Sequence, residues 1–372
     1  MGLIGLGVIG AVLVLSYVNG ANDNFKGVAT LVGSRTTDYR KALWWATATT
    51  LAGSCAAVAL SGGLVKAFSG KGLVPDALTH EPAFLLAVGL GAALTVLLAT
   101  LTGFPISTTH ALTGALVGTG LAAVGTVNVA KLGQGFFMPL AVSPTLSLAL
   151  TSVLYPCFRF VRLRFGVERQ MCVCVDGGAV EPVQMRADGS AVLQATGVAL
   201  SVGQLSACAE RYHGRVFRID AQRVLDRFHW LSAGTMSFAR GLNDTPKITA
   251  LLIAAQGLRM PVWLAWGGVG LAMGVGGLLQ ARKVAVTMSE KITTMNHGQG
   301  FTANLVTALL VTAASRFGLP VSTTHVSCGS LFGLGAVNRS ARWGMIRSIV
   351  LAWLLTLPLA AIAASGIWRL LR

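Results

Sequence analysis

The chain has 372 residues, 53% hydrophobic and 11% charged, with a mean hydropathy of +0.68. Soluble domains carry about 25% charged residues, so an ordinary water-soluble enzyme is excluded, and this apolar content equally excludes a disordered chain. The net charge of +16 reads as membrane topology and not as a nucleic-acid signal, because basic residues collect in cytoplasmic loops.

In chain order, apolar stretches run over 3–33, 42–65, 83–103, 106–125 and 134–158, then over 231–255, 261–280, 299–316, 320–337 and 347–368. Roughly 20 apolar residues cross a bilayer core. The pattern therefore predicts an all-α polytopic membrane protein of ten to twelve transmembrane segments, five on each side of a polar interval. The paired segments 83–103 and 106–125 are also short enough for re-entrant hairpins. Met1–Ser16 has no basic n-region, so it is expected to be a first span and not a cleaved signal peptide.

Residues 159–230 are different in kind, holding ten arginines and seven acidic residues. Runs such as Met171–Val175 and Val183–Arg186, each followed by a glycine-containing turn, predict a small β-rich cytoplasmic insert. The expected organisation is a first transmembrane repeat over 1–158, the insert over 159–230 and a second repeat over 231–372. With both termini outside the cell, Arg35, Arg40, Lys41, Arg282, Lys283, Lys291, Arg339, Arg342 and Arg347 all fall inside with the insert. Arg369 and Arg372 then end outside. The six cysteines form no pair of C-x-x-C motifs, so neither a zinc site nor a disulfide framework is expected, and Cys172 and Cys174 read as free thiols.

Two motifs occur once in each half. Gly20-Ala21-Asn22-Asp23-Asn24-Phe25-Lys26 is matched by Gly241-Leu242-Asn243-Asp244-Thr245-Pro246-Lys247. Gly103-Phe104-Pro105-Ile106-Ser107-Thr108-Thr109-His110 is matched by Gly318-Leu319-Pro320-Val321-Ser322-Thr323-Thr324-His325. Five spans per half is an odd number, so the second copy is expected to enter from the opposite face, giving the inverted-topology repeat found in many secondary transporters.

Outside the polar insert six acids remain. Asp38, Asp76, Glu81 and Glu290 fall in predicted loops, leaving Asp23 and Asp244 as the acids within spans. An intramembrane carboxylate is costly and is by default a functional group. Asn22, Asp23, Asn243 and Asp244 offer hard oxygen ligands to a coupling cation, sodium or a proton. Lys26 and Lys247 stand three positions after each Asp, on its face of any helix that continues, where each can pair with the acid or face an anion. The Pro-x-Ser-Thr-Thr-His motif reads as a helix start, with Pro in the first turn and Ser or Thr as cap. Two such N-termini would enclose an oxyanion between Ser107, Thr108, Thr109, Ser322, Thr323 and Thr324. His110 and His325 read as packed residues, with a proton relay as the alternative, and Asn304 as a further ion-site candidate.

With these four motif copies in this order, the sequence resembles the inorganic phosphate transporter (PiT) family, which includes bacterial sulfate permeases. The resemblance implies an inverted-repeat fold, a homodimer in the cell (inner) membrane, and phosphate symport driven by sodium or protons. It implies ion sites at Asn22, Asp23, Asn243 and Asp244, and anion sites at Ser107, Thr108, Thr109, Ser322, Thr323 and Thr324. One departure stands out: the family's first motif usually continues with small residues, whereas Asn24-Phe25-Lys26-Gly27 follows here, and the second copy also ends in Lys247. A tethered ammonium in place of a bound cation would lower the number of coupling ions or leave coupling to protons.

The expected function is import of inorganic phosphate by alternating access, without a cofactor, a nucleic-acid partner or enzymatic chemistry. No Gly-x-x-x-x-Gly-Lys-Ser/Thr loop is present. A sulfate permease on the same scaffold is the closest alternative, followed by an anion channel, which buried carboxylates disfavour.

Overall fold

The computed structural model describes residues 2–165, 221–255, 257 and 260–372 with their side chains, and between 166 and 220 the backbone of short strands alone. Ten helices of 15 residues or more are present among the described residues, and each coincides with one of the apolar stretches: α1 (Leu3–Asp23), α3 (Tyr39–Leu60), α6 (Pro82–Thr102), α7 (Thr108–Val124), α9 (Met138–Arg164), α10 (Ala221–Ala254), α11 (Val262–Gln280), α13 (His297–Arg316), α14 (Thr323–Val337) and α15 (Trp343–Leu371). Short helices α2 (Ala29–Gly33), α4 (Gly62–Phe68), α5 (Asp76–Thr79), α8 (Val129–Leu132) and α12 (Arg282–Val286) fill the connections. Six segments are long and apolar enough to span a membrane by length and composition, namely α1, α3, α6, α11, α15 and the continuous helix Val129–Arg164. The chain is a multi-pass membrane protein.

Helices α7 and α14, at 17 and 15 residues, are about 26 and 22 Å long at 1.5 Å per residue. Each begins at a loop buried within the protein, since Ile106, Ser107, Val321 and Ser322 are all buried. The α6–α7 and α13–α14 hairpin tips therefore lie inside the fold. Non-helical backbone at membrane depth is tolerated only where protein covers it.

The chain divides into two compact units, Met1–Phe160 with Leu225–Arg372, and Val161–Val224. In the second unit, β1 (Glu168–Gln170) pairs with β6 (Arg211–His213), β2 (Cys174–Asp176) with β5 (Ala199–Ser201), β3 (Val180–Met185) with β4 (Ala191–Ala195), and β7 (Arg215–Val216) with β8 (Ile219–Asp220), all antiparallel. The expected strand start at 171–173 and the turns at 177–179 and 186–190 lie outside the described residues.

Helices of the two sequence halves interleave in the first unit, and the contacts are reciprocal. A Cβ at Gly20 of α1 would sit 1.9 Å from the Met273 carbonyl oxygen of α11, and one at Gly241 of α10 would sit 2.1 Å from the Thr50 carbonyl oxygen of α3. The same crossings bring Gly276 against Tyr17 and Gly53 against Phe238. Glycine is required because backbone meets backbone, the small-residue packing that holds helices together in lipid.

Two of the prolines inside helices, Pro246 and Pro144, are matched by donors for the carbonyls they free. Pro246 leaves the Leu242 carbonyl without its helical partner, and Ser61 Oγ donates to it at 2.9 Å. Pro144 does the same to Leu140, whose carbonyl oxygen lies 3.4 Å from His325 Nδ1. Three local expectations are corrected. Pro105 and Pro320 precede the caps instead of opening the helices, because Ser107 and Ser322 are themselves the N-caps, each accepting from the backbone N–H three residues on. Glu290 lies in a wide helical turn, Thr287–Lys291, and not in a loop. Asp76 likewise opens α5 instead of lying in a loop.

Candidate functional site

The two Asn-Asp motifs and the two hairpin tips meet in one buried cluster. Asp23, Lys26, Arg240, Asp244 and Lys247 are between 0 and 2% exposed. Their backbones arrive differently. Helix α1 ends at Asp23 and the chain turns through 24–28 with short-range bonds such as Lys26 N–H to the Asp23 carbonyl. Helix α10 instead runs through Asp244 and Lys247 to Ala254. The expected shared helical face holds for Lys247 and is replaced by a turn for Lys26.

Lys26 Nζ donates to Asp23 Oδ1 and Thr324 Oγ1, and lies 3.1 Å from Asn22 Oδ1 and 3.0 Å from the Ile106 carbonyl oxygen. Lys247 Nζ donates to the Val321 carbonyl at 2.7 Å and to Thr109 Oγ1 at 2.8 Å, 3.5 Å from Asp244 Oδ1. The correspondence is reciprocal. Each lysine meets its own Asp, the carbonyl at the tip of its own half's hairpin, and the second threonine of the other half's motif. The tips also join each other directly, through Thr109 Oγ1 to the Val321 carbonyl at 3.2 Å and Thr324 Oγ1 to the Ile106 carbonyl at 2.6 Å.

Asn22 braces the first tip, donating to Thr100 Oγ1 and the Phe104 carbonyl and accepting from Ile106 N–H. Asn243 braces the second, accepting from Ser315 Oγ and donating to the Val321 carbonyl. Thr108 Oγ1 accepts from Asn19 Nδ2 at 2.9 Å, and Thr323 Oγ1 lies 3.5 Å from Asp244 Oδ2. All predicted residues of the two motifs are thus brought together. Asn304 is not. It is buried on α13, its Nδ2 has no hydrogen-bond partner, and no described contact links it to the cluster.

His110 and His325 pack with ring centroids 4.5 Å apart and planes tilted by 38°, and His325 stacks on Trp353 at 3.9 Å. Since a carbonyl only accepts, the Leu140 contact assigns the proton to His325 Nδ1. His325 Nε2 and His110 Nδ1 have no hydrogen-bond partner.

Sequence reasoning missed Arg240 and Asn19. Arg240 Nη2 donates to Asn19 Oδ1 at 2.7 Å, Nη1 donates to Asn24 Oδ1 at 3.1 Å, and Nε pairs with Asp244 Oδ2 at 3.6 Å. Both residues lie four positions before an Asp on its helix face, a signal present in the sequence. With three cations facing two carboxylates, the ionised cluster carries one excess positive charge, which suits an anion.

The family profile described as "Phosphate transporter family" matches residues 19–364. A Rhizobium meliloti (strain 1021) protein named "Probable low-affinity inorganic phosphate transporter" is 28% identical over 375 residues, covering 97% of this chain and 94% of that one. The Xenopus laevis "Sodium-dependent phosphate transporter 2" is 36% identical over 169 residues, 41% of this chain and 26% of its own length. A solved structure named "The sodium-dependent phosphate transporter" superposes with a TM-score of 0.77 at 23% identity, covering 100% of this chain and 99% of that one, and shows a shared fold. The profile begins at Asn19, the first buried polar residue of the cluster, and ends within α15, so it takes in both Asn-Asp motifs and both hairpin tips. This chain belongs to the phosphate transporter family, a family of transporters and not of enzymes.

Proposed function

We propose that this protein is a secondary active transporter that imports inorganic phosphate across the cytoplasmic membrane by alternating access, coupled to a sodium or proton gradient. The observation that carries the reading is the meeting of two capped helix N-termini, their threonines and a net-positive charge cluster at one buried point. Helix N-termini and hydroxyls bind oxyanions, and buried surroundings strengthen that attraction. Ser107, Thr108, Thr109, Ser322, Thr323 and Thr324 are the proposed anion ligands, with Lys26 and Lys247 as the cations beside them.

The reciprocal contacts between halves support an inverted repeat, because exchanging the halves reproduces the same set of partners. A repeat of this kind gives alternating access by rocking one half of each contact set against the other about a fixed site. The outward faces carry residues such as Leu94, Leu98, Trp263, Leu271, Leu354 and Ile362, suited to lipid. A homodimer with both termini outside and 159–230 in the cytoplasm completes the proposal.

One observation favours sulfate as a second reading. Monohydrogen phosphate carries a proton and wants an acceptor, whereas Asp23 and Asp244 are already paired with Lys26, Lys247 and Arg240. Labelled phosphate uptake into proteoliposomes, under imposed gradients and with excess sulfate as competitor, tests both. Uptake that ignores sulfate supports phosphate import. Uptake abolished by sulfate, with labelled sulfate accumulating, supports the second reading.

A further inference from the structure

We infer that the ammonium groups of Lys26 and Lys247 are built-in cations filling two oxygen cages, so that this protein carries its anion without binding sodium. The inference rests on the anion-transport reading above and names its cation partner.

The cages are defined by what surrounds each Nζ. Four oxygens face Lys26 Nζ: the Asn22 amide oxygen, the Asp23 carboxylate, the Ile106 carbonyl and the Thr324 hydroxyl. A lysine ammonium has three N–H donors, so the cage offers one more oxygen than hydrogen bonding requires. A mixed shell of carboxylate, amide, carbonyl and hydroxyl oxygens is a donor set that suits a hard cation. Around Lys247 Nζ stand the Asp244 carboxylate, the Val321 carbonyl and the Thr109 hydroxyl, with the Phe68 ring centroid at 5.8 Å. The two shells use equivalent positions, so their likeness is a property of the repeat and not of one local contact.

Electrostatics then excludes sodium from either shell. An alkali ion bound to these oxygens would lie within contact distance of an ammonium in a buried site, where like charges repel strongly. The ordinary task of a co-bound cation beside intramembrane carboxylates is to neutralise them so that an anion can approach. Here that neutralisation is covalently attached, and Arg240 adds the excess positive charge that meets the anion. Sodium has neither a shell to enter nor a charge to balance.

The test is counterflow in proteoliposomes of the full-length protein, preloaded with unlabelled phosphate, with sodium or choline as the only cation on both sides. The expected result is exchange of labelled phosphate at the same rate in both salts. Exchange that requires sodium overturns the inference while leaving anion transport standing. Absence of phosphate and of sulfate exchange in both salts overturns the transport reading itself. In parallel, the melting temperature of the Lys26→Ala protein is measured in sodium chloride and choline chloride. A ligand that binds only the folded protein raises it, so sodium should raise that of Lys26→Ala, whose cage is vacated, and not that of the wild type. A sodium shift in the wild type, or none in Lys26→Ala, counts against the assignment of the cages.

Discussion

Arg240 and Asn19, 221 residues apart, are joined by a 2.7 Å hydrogen bond. They stand at equivalent positions of the two halves, four residues before Asp244 and Asp23. In the proposed inverted repeat, two equivalent residues that touch each other would lie on the axis relating the halves. At this pair the halves differ in charge. A guanidinium occupies one position and a neutral amide the other, and this difference gives the buried cluster its positive excess.

Replacing that guanidinium should therefore weaken anion binding more than folding. Arg240→Met removes the third cation and its hydrogen bonds to Asn19 and Asn24 while keeping much of the volume. The loss that the anion feels is the cluster's one excess positive charge, so the phosphate concentration for half-maximal uptake should rise, by about ten-fold if that charge contributes about 1.4 kcal/mol to binding. Arg240→Lys restores the charge without the planar fork, and it should recover part of the affinity. Equal half-saturation in the wild type and Arg240→Met would show that the excess charge is not felt by the substrate.

The motif glycines have a different task, and Gly20→Ala and Gly241→Ala test it. Each new Cβ would fall about 2 Å from a carbonyl oxygen of a neighbouring helix, which only backbone movement can relieve. Overpacking of this kind costs about 1–3 kcal/mol or more. Both variants should melt at lower temperature and give less monodisperse protein in detergent. Gly10→Ala, where nothing lies within 4 Å of the added carbon, is the control on the same helix as Gly20. Normal melting of Gly20→Ala and Gly241→Ala would mean that the α1–α11 and α3–α10 crossings are looser than the geometry states.

The packed histidines are expected to be structural. His325 Nδ1 satisfies the carbonyl freed by Pro144, and its ring lies between Trp353 and His110. His110→Phe keeps the ring contact and removes a titratable ring, so uptake should persist with an unchanged pH profile. A shifted profile would instead assign His110 to proton movement.

Much of this arrangement was legible in the sequence, for identifiable physical reasons. Apolar length located all ten long helices, and two duplicated motifs located the cluster, because buried charge in a membrane chain is too costly to be incidental. Cap chemistry placed the starts of α7 and α14 to within a few residues. Arg240 escaped notice because it belongs to no repeated motif, and its partner in the other half is uncharged. The break after Asp23 and the continuation through Asp244 were equally hidden. Proline argues for a break in α10, yet Ser61, distant in sequence, supplies the bond that Pro246 forgoes. Tertiary partners of this kind have no local signature.

The proposed inverted arrangement makes a prediction about sidedness. If each half has five spans and the basic loops share one face, as proposed, Lys291 is expected on the cytoplasmic side and Lys71 on the outer side. Both positions are exposed. In a cysteine-free background, Lys71→Cys should react with a membrane-impermeant maleimide in intact cells. Lys291→Cys should react only after permeabilisation. Labelling of Lys291→Cys in intact cells together with protection of Lys71→Cys would invert the whole molecule, because helix connectivity ties the two positions to opposite faces. Labelling of both from outside would break the odd span count on which the inverted repeat depends.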